Sequence, residues 1–231
     1  MKRFARALAL VLGGLVLAVF LVQAWFLAHV LWWERYNPGT TKVMEARLEA
    51  LRAKNPKAEL KHRWVGYDRI SAHLKRAVIA AEDAKFIDHE GFDWEGIQRA
   101  LEKNQQRGKV VAGGSTISQQ LAKNLLLSGE RSYLRKGQEA IVTVMLESVM
   151  SKRRILEIYL NVAEWGEGVF GAEAAARHYF GVSAANLAPE QAARLAAMLP
   201  RPRFYDRNRS SRYLATYTER ILARMPSAQV P

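Results

Sequence analysis

Two acidic side chains, Glu82 and Asp83, stand in the string EDAKFIDHEG, at the end of a stretch with helical periodicity. From Asp68 to Phe86 the apolar residues Ile70, Leu74, Ala77, Val78 and Ala81 recur at the spacing of one helical face. A carboxylate at the carboxy-terminal end of such a helix faces the negative end of its dipole and apolar neighbours. Both raise its pKa toward the range of a useful proton acceptor. Glu82 is therefore a candidate general base. The competing reading has two solvated acids, with His89 capping a turn.

A second group of residues suits an anion. In GGSTISQQLAKN, Gly113 and Gly114 permit an unusual backbone path, and Thr116 with Gln119 has capping-box spacing. Ser115 or Thr116 can cap the following helix, whose amino terminus then favours negative charge. Gln119, Gln120 and Lys123 gather on one side of it, with Asn124 at the margin and Ile117, Leu121 and Leu125 opposite. An amphipathic surface helix would show the same split, and the GK[ST] ending of a nucleotide P-loop is missing. Arg131 and Arg135 can add to Lys123 a cation cluster fit for pyrophosphate, with Glu139 orienting it; the alternative is an ordinary i,i+4 ion pair on a solvated helix. Lys152, Arg153 and Arg154 are read as a solvated face or a contact to lipid headgroups.

The elements that must position these groups are mostly helical. A helix starting at Asp93 carries Ile97, Ala100 and Leu101 inward, and further helices are expected at 116–127, 133–150, 152–162, 171–180 and 189–199. The stretch Ala140 to Met150 reads as long and buried, and strand-like alternation is hard to find. The expected fold class is mostly α. From Ala7 to Trp33 run 27 residues without a formal charge, enough to span a bilayer. Lys2, Arg3 and Arg6 precede them, so the tail of residues 1–6 stays cytoplasmic and the chain beyond Glu34 lies outside. A cleaved signal peptide ending near Ala24 is the rival to an anchor over 7–33. Residues 34–66 then form a charged, partly helical membrane-proximal connector, and 67–231 the functional domain.

Composition narrows the chemistry. The 231 residues contain no cysteine, which removes disulfides, thiolate metal sites and cysteine nucleophiles. Thirty-five basic residues against 22 acidic ones leave a net charge of +13, so the partners should be anionic. Residues 99–154 alone hold eleven basic and four acidic side chains.

Four ordered blocks, EDAKFIDHEG, GGSTISQQLAKN, RKGQE and KRRILEIYLN, resemble the signature motifs of peptidoglycan glycosyltransferases, the domain shared with class A penicillin-binding proteins. GVFGAEAAARHYFG and LAPEQAARLAAMLPRP resemble that family's later helices, so the likeness covers about residues 64–205. No SxxK or KTG element of a transpeptidase occurs, which points to the monofunctional, anchored form. The resemblance implies a lysozyme-like, mostly helical domain behind a single transmembrane helix. It would polymerise lipid II into β-1,4 glycan strands at the outer, periplasmic face of the cytoplasmic (inner) membrane, releasing undecaprenyl diphosphate.

By the same resemblance Glu82 is the general base, and Lys123, Arg131 and Arg135 stabilise the departing pyrophosphate. Glu139 positions these cations or a divalent ion, Mg²⁺ or Mn²⁺, and Arg99, Ser115, Gln119, Gln120 and Asn124 match further cleft positions. After Tyr205 the chain reads DRNRSS where a proline is expected, so the tail carries no assignment. Implied partners are lipid II, the growing glycan and membrane lipids, with room for other cell-wall synthesis or division proteins. Nucleic acid is set aside, because the topology exports the basic domain and no recognisable module is present. A lytic enzyme cleaving the same glycan and a basic tethered scaffold without turnover are the remaining alternatives.

Overall fold

The computed structural model describes residues 2–109, 113–127 and 132–231, which divide into two units, 1–37 and 38–231. The first is one helix, α1 (Lys2–Arg35), apolar enough to cross a membrane. Its 34 residues rise about 50 Å at 1.5 Å each, against the ~30 Å of a hydrocarbon core. Leu10, Val16 and Phe20 are exposed along it, as lipid-facing residues would be. Near its end, Trp25 lies 4.1 Å from His29, and Trp32 stacks on Tyr36 at 4.1 Å, the amphipathic rings expected at a membrane–water boundary.

In the second unit the chain enters helix α2 (Lys42–Arg52), whose first turn is capped by the buried Thr41 hydroxyl. A small sheet follows in the order β1-β3-β2: β1 (Lys61–His62) runs parallel to β3 (Val169–Phe170), which pairs antiparallel with β2 (Glu164–Gly166). Strands of two or three residues are too short for a period of two to show, which is why the sequence reading found none. A two-point ion pair from Arg47 to Glu164, at 2.7 and 3.3 Å, ties α2 to this sheet. The stretch expected as a connector thus supplies a helix and a strand to the compact unit.

Helices α3 (Ala72–Glu82), α4 (Trp94–Arg107), α5 (Ile117–Leu126), α6 (Tyr133–Val149) and α7 (Lys152–Val162) follow, then α8 (Ala172–Phe180), α9 (Pro189–Met198), α10 (Pro202–Arg207) and α11 (Arg212–Arg224). Helix α9 presents Ala192, Ala193, Ala196 and Ala197, all fully buried, and these small side chains let α3 and α11 pack closely against it. A second layer joins α5 to α6 and α7 through Leu121, Leu125, Leu146 and Ile155. Asn161 on buried α7 accepts from the Val65 amide and donates to its carbonyl, both at 2.9 Å, replacing a strand partner.

Three local expectations are corrected. Leu101 is 56% exposed, because α4 buries only the side carrying Ala100. Helix α6 is buried on the Val142 and Leu146 side alone, while Ile141 and Val144 face outward. Lys152 and Arg154 are mostly covered: Lys152 reaches Glu147 at 2.8 Å, and Arg154 reaches Glu157 at 2.9 Å. Only Arg153, paired with Asp68, keeps about half of its side chain in solvent.

Candidate active site

Helix α3 ends at Glu82, and its half-buried carboxylate meets the side of α5. The Gln120 amide donates to Glu82 Oε2 at 2.8 Å, and the Gln120 carbonyl accepts from the Tyr159 hydroxyl at 2.9 Å. Tyr159 is fully buried on α7, so the amide is held in one orientation. Burial raises the Glu82 pKa above the ordinary carboxylate value; the Gln120 hydrogen bond and the Lys123 charge oppose this, and Asp83 adds to it. The Glu82 carboxylate is thus partly desolvated and held in place by one amide.

Asp83 turns away from Glu82 and is 6% exposed. It accepts from His89 Nε2 at 2.9 Å and from the Ile117 amide at 3.0 Å. The Gly91 amide donates to His89 Nδ1 at 3.0 Å, so the proton of the neutral ring sits on Nε2, facing Asp83. Lys152 clamps the same loop from below, bonding the His89 carbonyl with its ammonium 4.7 Å above the Phe86 ring. Neither carboxylate is thus the freely solvated acid of the competing reading: Asp83 fixes the start of α5 and Glu82 faces its side.

The start of α5 is fixed again by the Thr116–Gln119 capping box. The Thr116 hydroxyl also donates to the Gly91 carbonyl at 2.7 Å. Gly91 has φ of 94°, and a Cβ there would come within 2.8 Å of Thr143, so only glycine brings this carbonyl to the helix. Gly114 passes so close to α4 that a Cβ would meet the Ile97 backbone at 3.0 Å. Gln119 is 4% exposed, with its Oε1 taken by the Thr116 amide. Its sequence placement beside Gln120 therefore translates into a helix cap bordering a small cavity of about 220 Å³, shared with Ser115 and Lys136. Asn124 is half-buried one turn beyond Gln120.

Lys123 stands one turn after Gln119, and its side chain makes no hydrogen bond or ion pair among the described residues. Partial desolvation lowers its pKa; Glu139 and Glu82 raise it, and Arg135 and Lys136 lower it, so all four lie within electrostatic reach. Glu139 is 3% exposed and takes Arg135 on one oxygen at 3.1 Å and Lys136 on the other. The i,i+4 pair and the cation cluster are accordingly one structure. Arg131 lies outside the described residues. A divalent ion at Glu139 would have to displace both cations, and no group of three His, Cys, Asp or Glu side chains able to hold a metal occurs among the described residues. The donor set does not fit a bound Mg²⁺ or Mn²⁺ at this position.

Glu82 opens into a groove of about 430 Å³ shared with Asp93, Arg99, Lys103, Ser115 and Arg224. Arg99 reaches Glu95 at 3.3 Å and Asp93 at 3.6 Å across the groove rim. Sequence reading missed Lys103, Arg224, Tyr159 and Tyr217, whose hydroxyl donates to the carbonyl of Ala81 beside Glu82. Lys103 follows Arg99 by four residues and was legible as the same helix face. Arg224 and Tyr217 come from the unassigned tail, and Tyr159 reaches Gln120 across 39 residues of chain, a contact no local pattern announces.

A family model described as transglycosylase matches residues 49–226. Among curated proteins, one from Dechloromonas aromatica (strain RCB) is 65% identical over 232 residues, covering all of both chains. Another from Janthinobacterium sp. (strain Marseille) is 63% identical over 216 residues, 94% of each chain. A third from Aromatoleum aromaticum is 62% identical over the full length of both. Each of the three bears the name biosynthetic peptidoglycan transglycosylase.

Proposed function

The chain belongs to the transglycosylase family, and from that premise we propose that Glu82 is the proton acceptor and the Lys123 cluster the leaving-group site of a peptidoglycan glycosyltransferase. The enzyme polymerises lipid II into glycan strands in cell-wall synthesis, on a mostly α, lysozyme-like fold. Glu82 takes the proton of the acceptor's sugar 4-hydroxyl as that oxygen bonds to the anomeric carbon of the growing chain. The bond from that carbon to the lipid diphosphate breaks on the opposite face, its electron pair leaves with the diphosphate, and the new link is β. A diphosphate needs no strong general acid to depart; it needs positive charge where its own negative charge grows. Lys123 and Arg135 supply this, and Arg131 joins them by the family resemblance.

The observation that carries the reading is a desolvated carboxylate, oriented by Gln120, within electrostatic reach of Lys123. Hydrolysis by a lysozyme-type pair would need a second available carboxyl. Asp83 is engaged by His89 and Ile117, Glu139 by two cations, and Asp93, in the same groove, by the Gly96 amide and Arg99, which disfavours that alternative. Helix α1, which opens with the basic residues Lys2, Arg3 and Arg6, is read as a single-pass anchor in the inner membrane, with the enzyme on its periplasmic face.

The test is incubation of the full-length protein with lipid II and, separately, with finished peptidoglycan. Growing strands from lipid II that vanish in a folded Glu82→Gln variant support the assignment. Soluble muropeptides from finished wall, or full activity in that variant, would overturn it.

A further inference from the structure

Beyond the groove that holds Glu82 lies a second cavity of about 380 Å³, walled by Arg201, Phe204, Tyr205, Tyr213 and Tyr217. Nothing in the reaction above uses it. Its rings are not simply core: Tyr213 is 63% exposed and Phe204 is 39% exposed. The Arg201 guanidinium lies 4.4 Å over the Phe204 ring, and Tyr213 and Tyr217 stand 5.9 Å apart with planes tilted by 34°.

The cavity is joined to the groove by Tyr217. Its hydroxyl donates to the carbonyl of Ala81, the residue before Glu82 and itself part of the groove wall. Tyr213, Tyr217 and Arg224 fall on one side of α11 at helical spacing, so a single helix face runs from the aromatic cavity to the groove.

Two exposed rings, Phe204 and Tyr213, with the half-buried Tyr217 beside them and the Arg201 guanidinium at the edge, match a pyranose: its axial C–H faces lie on aromatic faces, and its hydroxyl and acetamido groups meet the guanidinium and the Tyr213 hydroxyl. A second diphosphate would call for several cations, and Arg201 is the one cation lining the cavity among the described residues. We propose that this cavity is a glycan subsite, holding N-acetylhexosamine units of the growing strand away from the bond being formed. The inference rests on the glycosyltransferase reading. Its consequence is processivity, because a strand gripped beside the groove is presented again at high effective concentration.

The test uses the full-length protein in detergent micelles. Strand lengths made from lipid II are compared for wild type, Tyr213→Ala, Arg201→Ala and Tyr213→Phe, and binding of a β-1,4-linked N-acetylglucosamine hexasaccharide is measured by calorimetry. Strands shortened by about threefold or more in the two alanine variants, hexasaccharide affinity weakened roughly tenfold, and wild-type lengths restored in Tyr213→Phe support the subsite. Unchanged lengths and unchanged hexasaccharide affinity in a folded Tyr213→Ala protein would overturn it. So would a fall in total polymer with no shortening, the result of a merely structural role. Absence of polymer from the wild type would refute the reaction instead, and hexasaccharide binding would still report on the cavity.

Discussion

Replacing Gln120 by Met isolates the one hydrogen bond that stabilises the charged form of Glu82. The amide donates to Glu82 at 2.8 Å, and it lowers the pKa of a carboxyl that burial has raised. A hydrogen bond to a charged group is worth about 1.5–3 kcal/mol, and one pKa unit corresponds to about 1.4 kcal/mol. Loss of the bond should therefore raise the Glu82 pKa further. On the proposed reading Glu82 acts deprotonated, so the acidic limb of kcat/KM for lipid II polymerisation moves to higher pH. The same change strips the Tyr159 hydroxyl of its acceptor at a fully buried position, costing about 1–3 kcal/mol of stability. The double variant Gln120→Met with Tyr159→Phe should regain most of that stability and keep the displaced limb. Initial rates across the pH range, with thermal unfolding of the same samples, read both effects. A limb that stays in place, or moves to lower pH, would refute the assignment of Glu82 as the proton acceptor.

Glu139→Gln should displace the opposite limb: Glu139 supports the protonated form of Lys123, so its removal lowers that pKa further and activity fails at lower pH on the alkaline side. Lys123→Ala is expected to reduce kcat by about 10²- to 10³-fold, the loss of about 2.7–4 kcal/mol of transition-state stabilisation. Glu82→Gln should make the protein more stable above the ordinary carboxylate range. A carboxyl whose folded pKa is raised binds more protons in the folded state, so wild-type stability falls as pH rises through that window; unfolding temperatures at acidic and neutral pH check this. Asp83→Ala removes the acceptor shared by His89 and Ile117 and should lower stability by about 1–3 kcal/mol, measured in urea, together with a fall in kcat as α5 loosens.

What the sequence disclosed and what it hid divide by chain separation. The Thr116–Gln119 box and the Asp93 cap are short-range chemistry, and both stand where their spacing put them. Helix starts were legible for the same reason. The Asp83 bond to Ile117 spans 34 residues and the Lys152 bond to His89 spans 63, and neither leaves a periodic trace. Lys152 was misread because a lysine in a basic run looks solvated until the loop that folds over it is known. Leu101 was misread because spacing shows that a face is apolar, not that another element covers it.

If the proposed leaving-group site is right, the pairing of Arg135 and Lys136 with Glu139 bears on how the catalyst recovers between cycles. An uncompensated set of cations would hold the departing lipid diphosphate so firmly that turnover stalled on release, a step that often limits enzymes. The buried acid offsets part of that pull before any substrate arrives. On the proposed reading the cluster around Lys123 can then attract a double phosphate while its charge is growing and let it go once the strand has lengthened.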